Sequence, residues 1–164
     1  MKKVFTFTLA IMLAFCLHSC SEDEIILPEK DFFIAFEGQS AVLSKSSQHM
    51  LKIPVFVAAE RGQQVHVNIG INKDPDIIFG QGSRDYTLAE ESVDFEFIHG
   101  PVLSFPTGAG YDTLRIKALP GPVPGNLYLL LNLESNSAGY SMGFRYGAAA
   151  DSTSHDRFLI EFIQ

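Results

Sequence analysis

"QQVHVNIGIN", residues 63–72, alternates apolar and polar side chains almost without a break. Val65, Val67, Ile69 and Ile71 fall on one face, with His66 and Asn68 on the other. A period of two marks a half-buried strand, whereas a helix repeats near 3.6. The same phase recurs along the chain in both directions. Upstream it appears in "DFFIAFEG" (31–38) and "HMLKIPVFVAA" (49–59). Downstream it appears in "SRDYTL" (83–88), "SVDFEFIHG" (92–100), "YDTLRIKAL" (111–119), "YSMGFRY" (140–146) and "RFLIEFI" (157–163). "LYLLLNLES" (127–135) is instead a continuous apolar run, the pattern of a central strand covered on both faces.

Individual positions follow from the phase. In 92–100 it predicts Val93, Phe95 and Phe97 inward, with Asp94 and Glu96 outward. In 111–119 it predicts Leu114 and Ile116 inward. Pro54 has no N–H for a ladder, so its strand is expected at an edge or a bulge. Gly62, Gly80-Gln81-Gly82, Gly100-Pro101, Gly108-Ala109-Gly110 and Pro120 to Gly125 punctuate the strands. No segment holds a helical apolar stripe over three turns. Short strands separated by Gly/Pro turns give an all-β sandwich or barrel.

Composition narrows the class. The chain has 164 residues, fourteen Phe, five Tyr and no Trp. Twelve Lys and Arg stand against nineteen Asp and Glu, a net charge of −7. Discounting Lys2 and Lys3, which open the chain, leaves ten against nineteen and a balance near −9. That surface disfavours nucleic acid and anionic lipid. It is compatible with neutral partners such as glycans, and with cations.

The first twenty residues set the compartment. Lys2 and Lys3 precede an apolar run from Val4 to Leu17, interrupted only by Thr6 and Thr8. The run is shorter than the ~20 residues a spanning helix needs. Charge, then a short apolar run, then small residues, is the order of a secretory signal. Leu17-His18-Ser19-Cys20 resembles a bacterial lipobox, with His18 departing from the usual small residue. The resemblance implies cleavage before Cys20 and lipidation of its sulfur. Cys16 lies in the removed segment, so the mature chain has no disulfide. A metal or redox pair would need further Cys or well-placed His nearby. Each buried CH₂ of an acyl chain is worth ~0.8 kcal/mol, so several chains anchor stably. Ser21-Glu22-Asp23-Glu24 resembles the acidic export signal of Bacteroidota surface lipoproteins; the plain alternative is a solvated spacer. The expected organisation is a signal peptide over 1–19, a lipidated flexible tether over 20–31 and one sandwich domain over 32–164.

The order of the strands resembles the Calx-β type of immunoglobulin-like sandwich. The matching pieces are Phe33 to Glu37, "GSRDY" (82–86), "LSFPTGAGYDTLRI" (103–116), "LYLLLNL" (127–133) and "FLIEFI" (158–163), together covering about residues 32–163. The resemblance implies an immunoglobulin-like antiparallel β-sandwich of seven to nine strands. Tethered Bacteroidota lipoproteins with such a domain look similar, and many accompany outer-membrane glycan-uptake systems. Calcium-binding members of the family carry acids before the second strand and after the "L-x-I" strand. Here those places read "VLSKSSQ" (42–48) and "LPGPVPGN" (119–126), without a carboxylate. Calcium takes six to eight oxygen ligands, several of them charged. Asp85 alone matches, and its local role is to hydrogen-bond the turn before Tyr86. No metal and no cofactor is expected.

Other motifs resolve similarly. "GYSMG" (139–143) fits a nucleophile elbow, and Asp151 and His155 follow in hydrolase order. The elbow needs a strand before it and a helix after it in an α/β sheet. The chain has no such pattern, so no enzyme is expected. "NKDPDIIFGQGSRD" (72–85) begins like a calcium loop, but Ile78 and Phe79 break the spacing. Ile77, Ile78 and Phe79 either pack beneath their loop or form an exposed contact patch. The histidines at 49, 66, 99 and 155 show no ligand spacing. "DTL" (112–114) and "DST" (151–153) resemble a Bacteroidota O-glycosylation motif, making Thr113 and Ser152 candidate acceptors. Tyr111, Tyr140 and Tyr146 lie near Gly-rich turns and are candidate sugar-stacking rings; most Phe residues are core.

Two function classes follow. The first is an outer-membrane lipoprotein, anchored by its lipid and exposed at the cell surface, that captures a polysaccharide for an uptake complex. The second is a structural module that docks on other envelope proteins through a sheet edge or residues 77–79.

Overall fold

The computed structural model describes residues 32–47, 49–59, 62–74, 86–145 and 153–164. Residues 1–31 lie outside it, with Cys20 and the expected signal peptide and tether. So do Ile77, Ile78, Phe79, Asp85, Tyr146, Asp151 and Ser152.

The strands are β1 (Phe33–Phe36), β2 (Ser40–Ser44), β3 (Met50–Ala58), β4 (Val65–Asn72), β5 (Thr87–Leu88), β6 (Phe95–Ile98) and β7 (Val102–Phe105). They continue with β8 (Gly110–Ala118), β9 (Leu127–Asn136), β10 (Ser141–Met142), β11 (Phe144–Arg145), β12 (Thr153–Ser154) and β13 (Arg157–Ile163). Nine have four residues or more, and the described residues contain no helix. One sheet runs β10-β1-β3-β8-β6. The other runs β2-β13-β9-β4-β7, with β5 also paired to β9. A two-stranded ladder joins β11 and β12. Most pairings are antiparallel, as the family pattern implies. Three short ones are parallel: β1 with β10, β2 with β13, and β5 with β9. The second arises because the chain changes sheets between β1 and β2. Gly38, at φ +101°, makes that corner, a conformation L side chains rarely adopt.

Alternation fills the space between the sheets. Ile53, Val55, Val57, Leu114 and Ile116 face Val67, Leu129, Leu131, Phe158 and Ile160 from the opposite layer, all nearly or fully buried. Phe36 meets Phe158 and Phe95 meets Phe162 across the layers, with ring centroids 5.7 and 6.4 Å apart. Each such side chain contributes roughly 1.5–3 kcal/mol by leaving water.

Four local expectations change. Pro54 sits in β3, which is central, between β1 and β8. Its carbonyl accepts from Glu37 N at 2.9 Å, just past the end of β1. A strand residue's N–H and C=O point to the same side. The absent N–H therefore faces the place where β1 stops, and only the last rung of that ladder is lost. Val93 is 60% exposed in a turn, and Asp94 points inward instead of outward. The turn at Ser92 (φ 68°) shifts the phase before β6 begins. The stretch 140–146 is not one strand: Gly143, at φ 75°, separates β10 from β11. Strands β2 and β7 carried weak signals: β2 fully buries one side chain, Leu43, and β7 has four residues.

Candidate functional site

The residues of β3 and β8 that do not enter the core stand on the outward face of the five-stranded sheet. Register sets them in rows across the two strands: Phe56 opposite Tyr111, Pro54 opposite Thr113, Lys52 opposite Arg115, and Met50 opposite Lys117. β1 adds Phe33 beside Ala58. β6 adds Ile98 beside Arg115 and Glu96 beside Lys117. Tyr111 is 65% exposed. Its ring lies 4.8 Å from the Phe56 ring, and Phe56 lies 5.9 Å from Phe33. Three rings thus run across β8, β3 and β1. Such pairs add ~0.5–1.5 kcal/mol each beyond area burial. A solvated antiparallel face ordinarily carries polar residues at these positions, so the row is a surplus over what folding requires.

The charges of this face lie at the other end of the same strands. Lys52 is exposed and has no carboxylate partner among the described residues. Arg115 donates one Nη1 bond to Thr113 O at 3.1 Å. Lys117 pairs with Glu96 at 3.2 Å, both side chains nearly half exposed. Glu37, opposite Pro54 past the end of β1, is the other acid nearby.

The other candidate residues are placed separately. Tyr140 packs its ring edge-on to Phe32 at 5.3 Å and lies against the core. Its hydroxyl donates to Gln63 Oε1 at 3.3 Å, and Asn136 holds its main chain through bonds to N and O. The neighbouring Ser141 pairs with outward-facing Phe33. Tyr140 therefore points to the opposite side of the sheet from Tyr111. Thr113 stands half-buried in the middle of the outward face, next to Pro54. Thr113 thus shares its face with the ring row. Phe33, Phe56, Lys52 and Arg115 were not singled out from the sequence. The signal was present in "HMLKIPVFVAA": Lys52 and Phe56 lie in the opposite phase to Ile53, Val55 and Val57.

The two segments where the resemblance implies calcium ligands meet through a lysine. The Lys45 side chain is 2% exposed, and Nζ lies 2.7 Å from Asp94 Oδ1. Pro122 O accepts from the same ammonium at 3.5 Å. A cation bound between these segments would face a resident positive charge at close range. Among the described residues no group of three or more His, Cys, Asp or Glu is placed to hold a metal. Ser141 of the elbow-like motif lies in a two-residue strand followed by the Gly143 turn. His155 Nδ1 is 3.0 Å from Phe36 O. A cleft of about 560 Å³ also opens between the end of β4, residues 88–91 and β9. Lys73, Glu90 and Glu91 give it a mixed rim, and Tyr128 is the one aromatic residue of its lining.

No protein-family model matches this sequence, and no curated protein matches it. Solved structures do. The apo-form Calx CBD1 domain superposes with a TM-score of 0.53 at 14% identity, covering 80% of this chain and 96% of that domain. A protein of unknown function from Bacteroides ovatus gives 0.56 at 14% identity, covering 80% of this chain and 46% of that one. A multidomain Bacteroides ovatus protein that includes a domain of unknown function gives 0.53 at 14% identity, with 79% and 44% covered. The chain thus spans about half the length of the Bacteroides proteins it matches. The described domain has a Calx-β-like, immunoglobulin-type sandwich fold, and Bacteroides proteins of unknown function share it.

Proposed function

We propose that this chain is a non-catalytic lipoprotein of the outer membrane, surface-exposed, that captures glycan on the outward face of its five-stranded sheet. Residues 1–19 direct export, Cys20 carries the lipid, residues 20–31 form the tether and the sandwich domain presents the face. The observation that carries the reading is Tyr111, 65% exposed, with its ring beside that of Phe56. An exposed flat ring is the surface on which a sugar ring stacks by its apolar C–H face. Folding alone gives no reason to expose it.

The test is retention of the purified full chain by a panel of polysaccharides, run beside Tyr111→Ala and Phe56→Ala. Binding to at least one polysaccharide class, weakened ten-fold or more by Tyr111→Ala, is the expected result. Binding that survives both substitutions would place any site elsewhere. The anchor is tested separately: Cys20→Ser should move the protein from the membrane fraction to the soluble one, and persistence in membranes would exclude lipidation at that residue.

A second reading has its own observation. β2 is an edge strand of the second sheet, with Val42 57% exposed, and Ile163 of neighbouring β13 is 44% exposed. An apolar edge of this kind can accept a strand from an envelope protein. A blank polysaccharide panel together with partner capture lost on Val42→Lys would favour docking.

A further inference from the structure

Lys52 and Arg115 are registered cross-strand partners on the outward face of the five-stranded sheet. Like charges directly opposite one another destabilise a sheet. The usual remedy is a carboxylate on the next strand, but the β6 residue paired with Arg115 is Ile98. Arg115 spends one of its donors on Thr113 O, and a guanidinium has five. Lys52 has no ion-pair partner among the described residues. In a chain where acids outnumber bases nineteen to twelve, a juxtaposed pair of cations without an acid in its row breaks a local rule of sheet construction. Such breaks concentrate where function compensates them.

The geometry points to an anionic polysaccharide as the ligand of this face, one bearing carboxylate or sulfate groups; this rests on the glycan-capture reading. Phe56 and Lys52 lie four residues apart on β3, and Tyr111 and Arg115 lie four apart on β8. At about 3.4 Å per residue the ring row and the cation row are ~14 Å apart along the sheet. Pro54 and Thr113 lie between them, with Glu37 opposite Pro54 on the side toward β1. A chain laid along β3 and β8 would stack one sugar on Tyr111 and Phe56 and present an acidic group further along to Lys52 and Arg115. Arg offers a planar fork to carboxylate or sulfate, and Lys adds a point charge. The acidic balance of the whole chain does not oppose this. Fields beyond about 8 Å are largely screened at physiological ionic strength, so the nearest cations decide.

The test uses the purified full chain with dextran, dextran sulfate and polygalacturonate, which separate the neutral, sulfate and uronate cases. The variants are Lys52→Glu, Lys52→Met and Tyr111→Ala. Lys52→Glu turns a repulsive pair into an attractive one. Its melting temperature should hold or rise, while binding to the anionic polymer falls ten-fold or more. Tyr111→Ala should lose binding to the same polymer, which separates a built site from simple ion exchange. Whether sulfate or uronate is preferred then identifies the acidic group. Binding to dextran alone, or anionic binding unmoved by Lys52→Glu, would overturn the charge inference and leave glycan capture standing. No binding to any polysaccharide by folded protein would overturn both.

Discussion

Lys45 and Lys52 are near neighbours in the chain and lie toward the same end of the five-stranded sheet, but one is buried and the other faces water. Lys45 closes one end of the sandwich. Its ammonium is bound to Asp94, Asp94 accepts Glu90 N at 2.9 Å through its second oxygen, and the Asp94 carbonyl accepts Leu119 N at 2.8 Å. The Lys45 main chain is tied in turn to Ile163 O. Among the described residues no buried side-chain polar atom lacks a partner, and the lysine joins three segments that come from different parts of the sequence. Lys52 faces water and another cation. A charge answered on all sides belongs to the fold. A charge left unanswered on the same face as the ring row is what the proposed ligand would use.

That contrast is broken most directly at Asp94. A buried ion pair gives little net stability, but removing one partner strands the other and typically costs 3–5 kcal/mol. Asp94→Ala should lower stability by about 3–5 kcal/mol, a fall in melting temperature on the order of 10 °C. Adding Lys45→Met to that variant should recover more than half of the loss, since methionine fills the space without charge. A thermal or urea melt of the single and double variants decides the matter. A single variant that loses less than about 1 kcal/mol would show that the ammonium escapes to water, and the two lysines would then be alike.

A smaller effect sharpens the reading of the sheet edge. Gly143 lies at φ 75° and donates to Ile34 O, so it bends the chain away from β1 just after β10. Gly143→Ala should cost about 1–2 kcal/mol through the left-handed conformation alone. A neutral outcome in a urea melt would mean that the backbone there relaxes and that 140–146 can form the continuous strand its sequence suggests.

These positions also show how far the sequence could be read. β4 and β9 were legible because their inward side chains form an unbroken phase: Val65, Val67 and Ile69 in one, Leu127, Leu129, Leu131 and Leu133 in the other. β2 was not, because Leu43 is its one fully buried side chain and the strand earns its place through parallel pairing with β13. Pro54 misled because local rules do not know where the neighbouring strand ends. Lys45 was visible as a departure from an acidic pattern, but its inward direction depends on Asp94, forty-nine positions away. Tyr111 was found from its Gly-rich turn. Its partners Phe56 and Phe33 were absorbed into the general expectation that Phe is core, although the phase of β3 sets Phe56 on the other side.

The smallest expected stability change bears most on function. Tyr111 gives up one tilted contact with Phe56 when replaced by alanine, worth ~0.5–1.5 kcal/mol beyond its modest burial. Tyr111→Ala should therefore melt within a few degrees of the parent, while its polysaccharide retention falls ten-fold or more. Asp94→Ala should behave in the opposite sense: much less stable, yet with unchanged retention below its melting temperature, because Asp94 lies off the outward face. Measuring both quantities on both variants separates fold from site. If Tyr111→Ala proved as costly to stability as Asp94→Ala, the exposed ring would be structural, and the argument from surplus aromatic surface would fail at its first step.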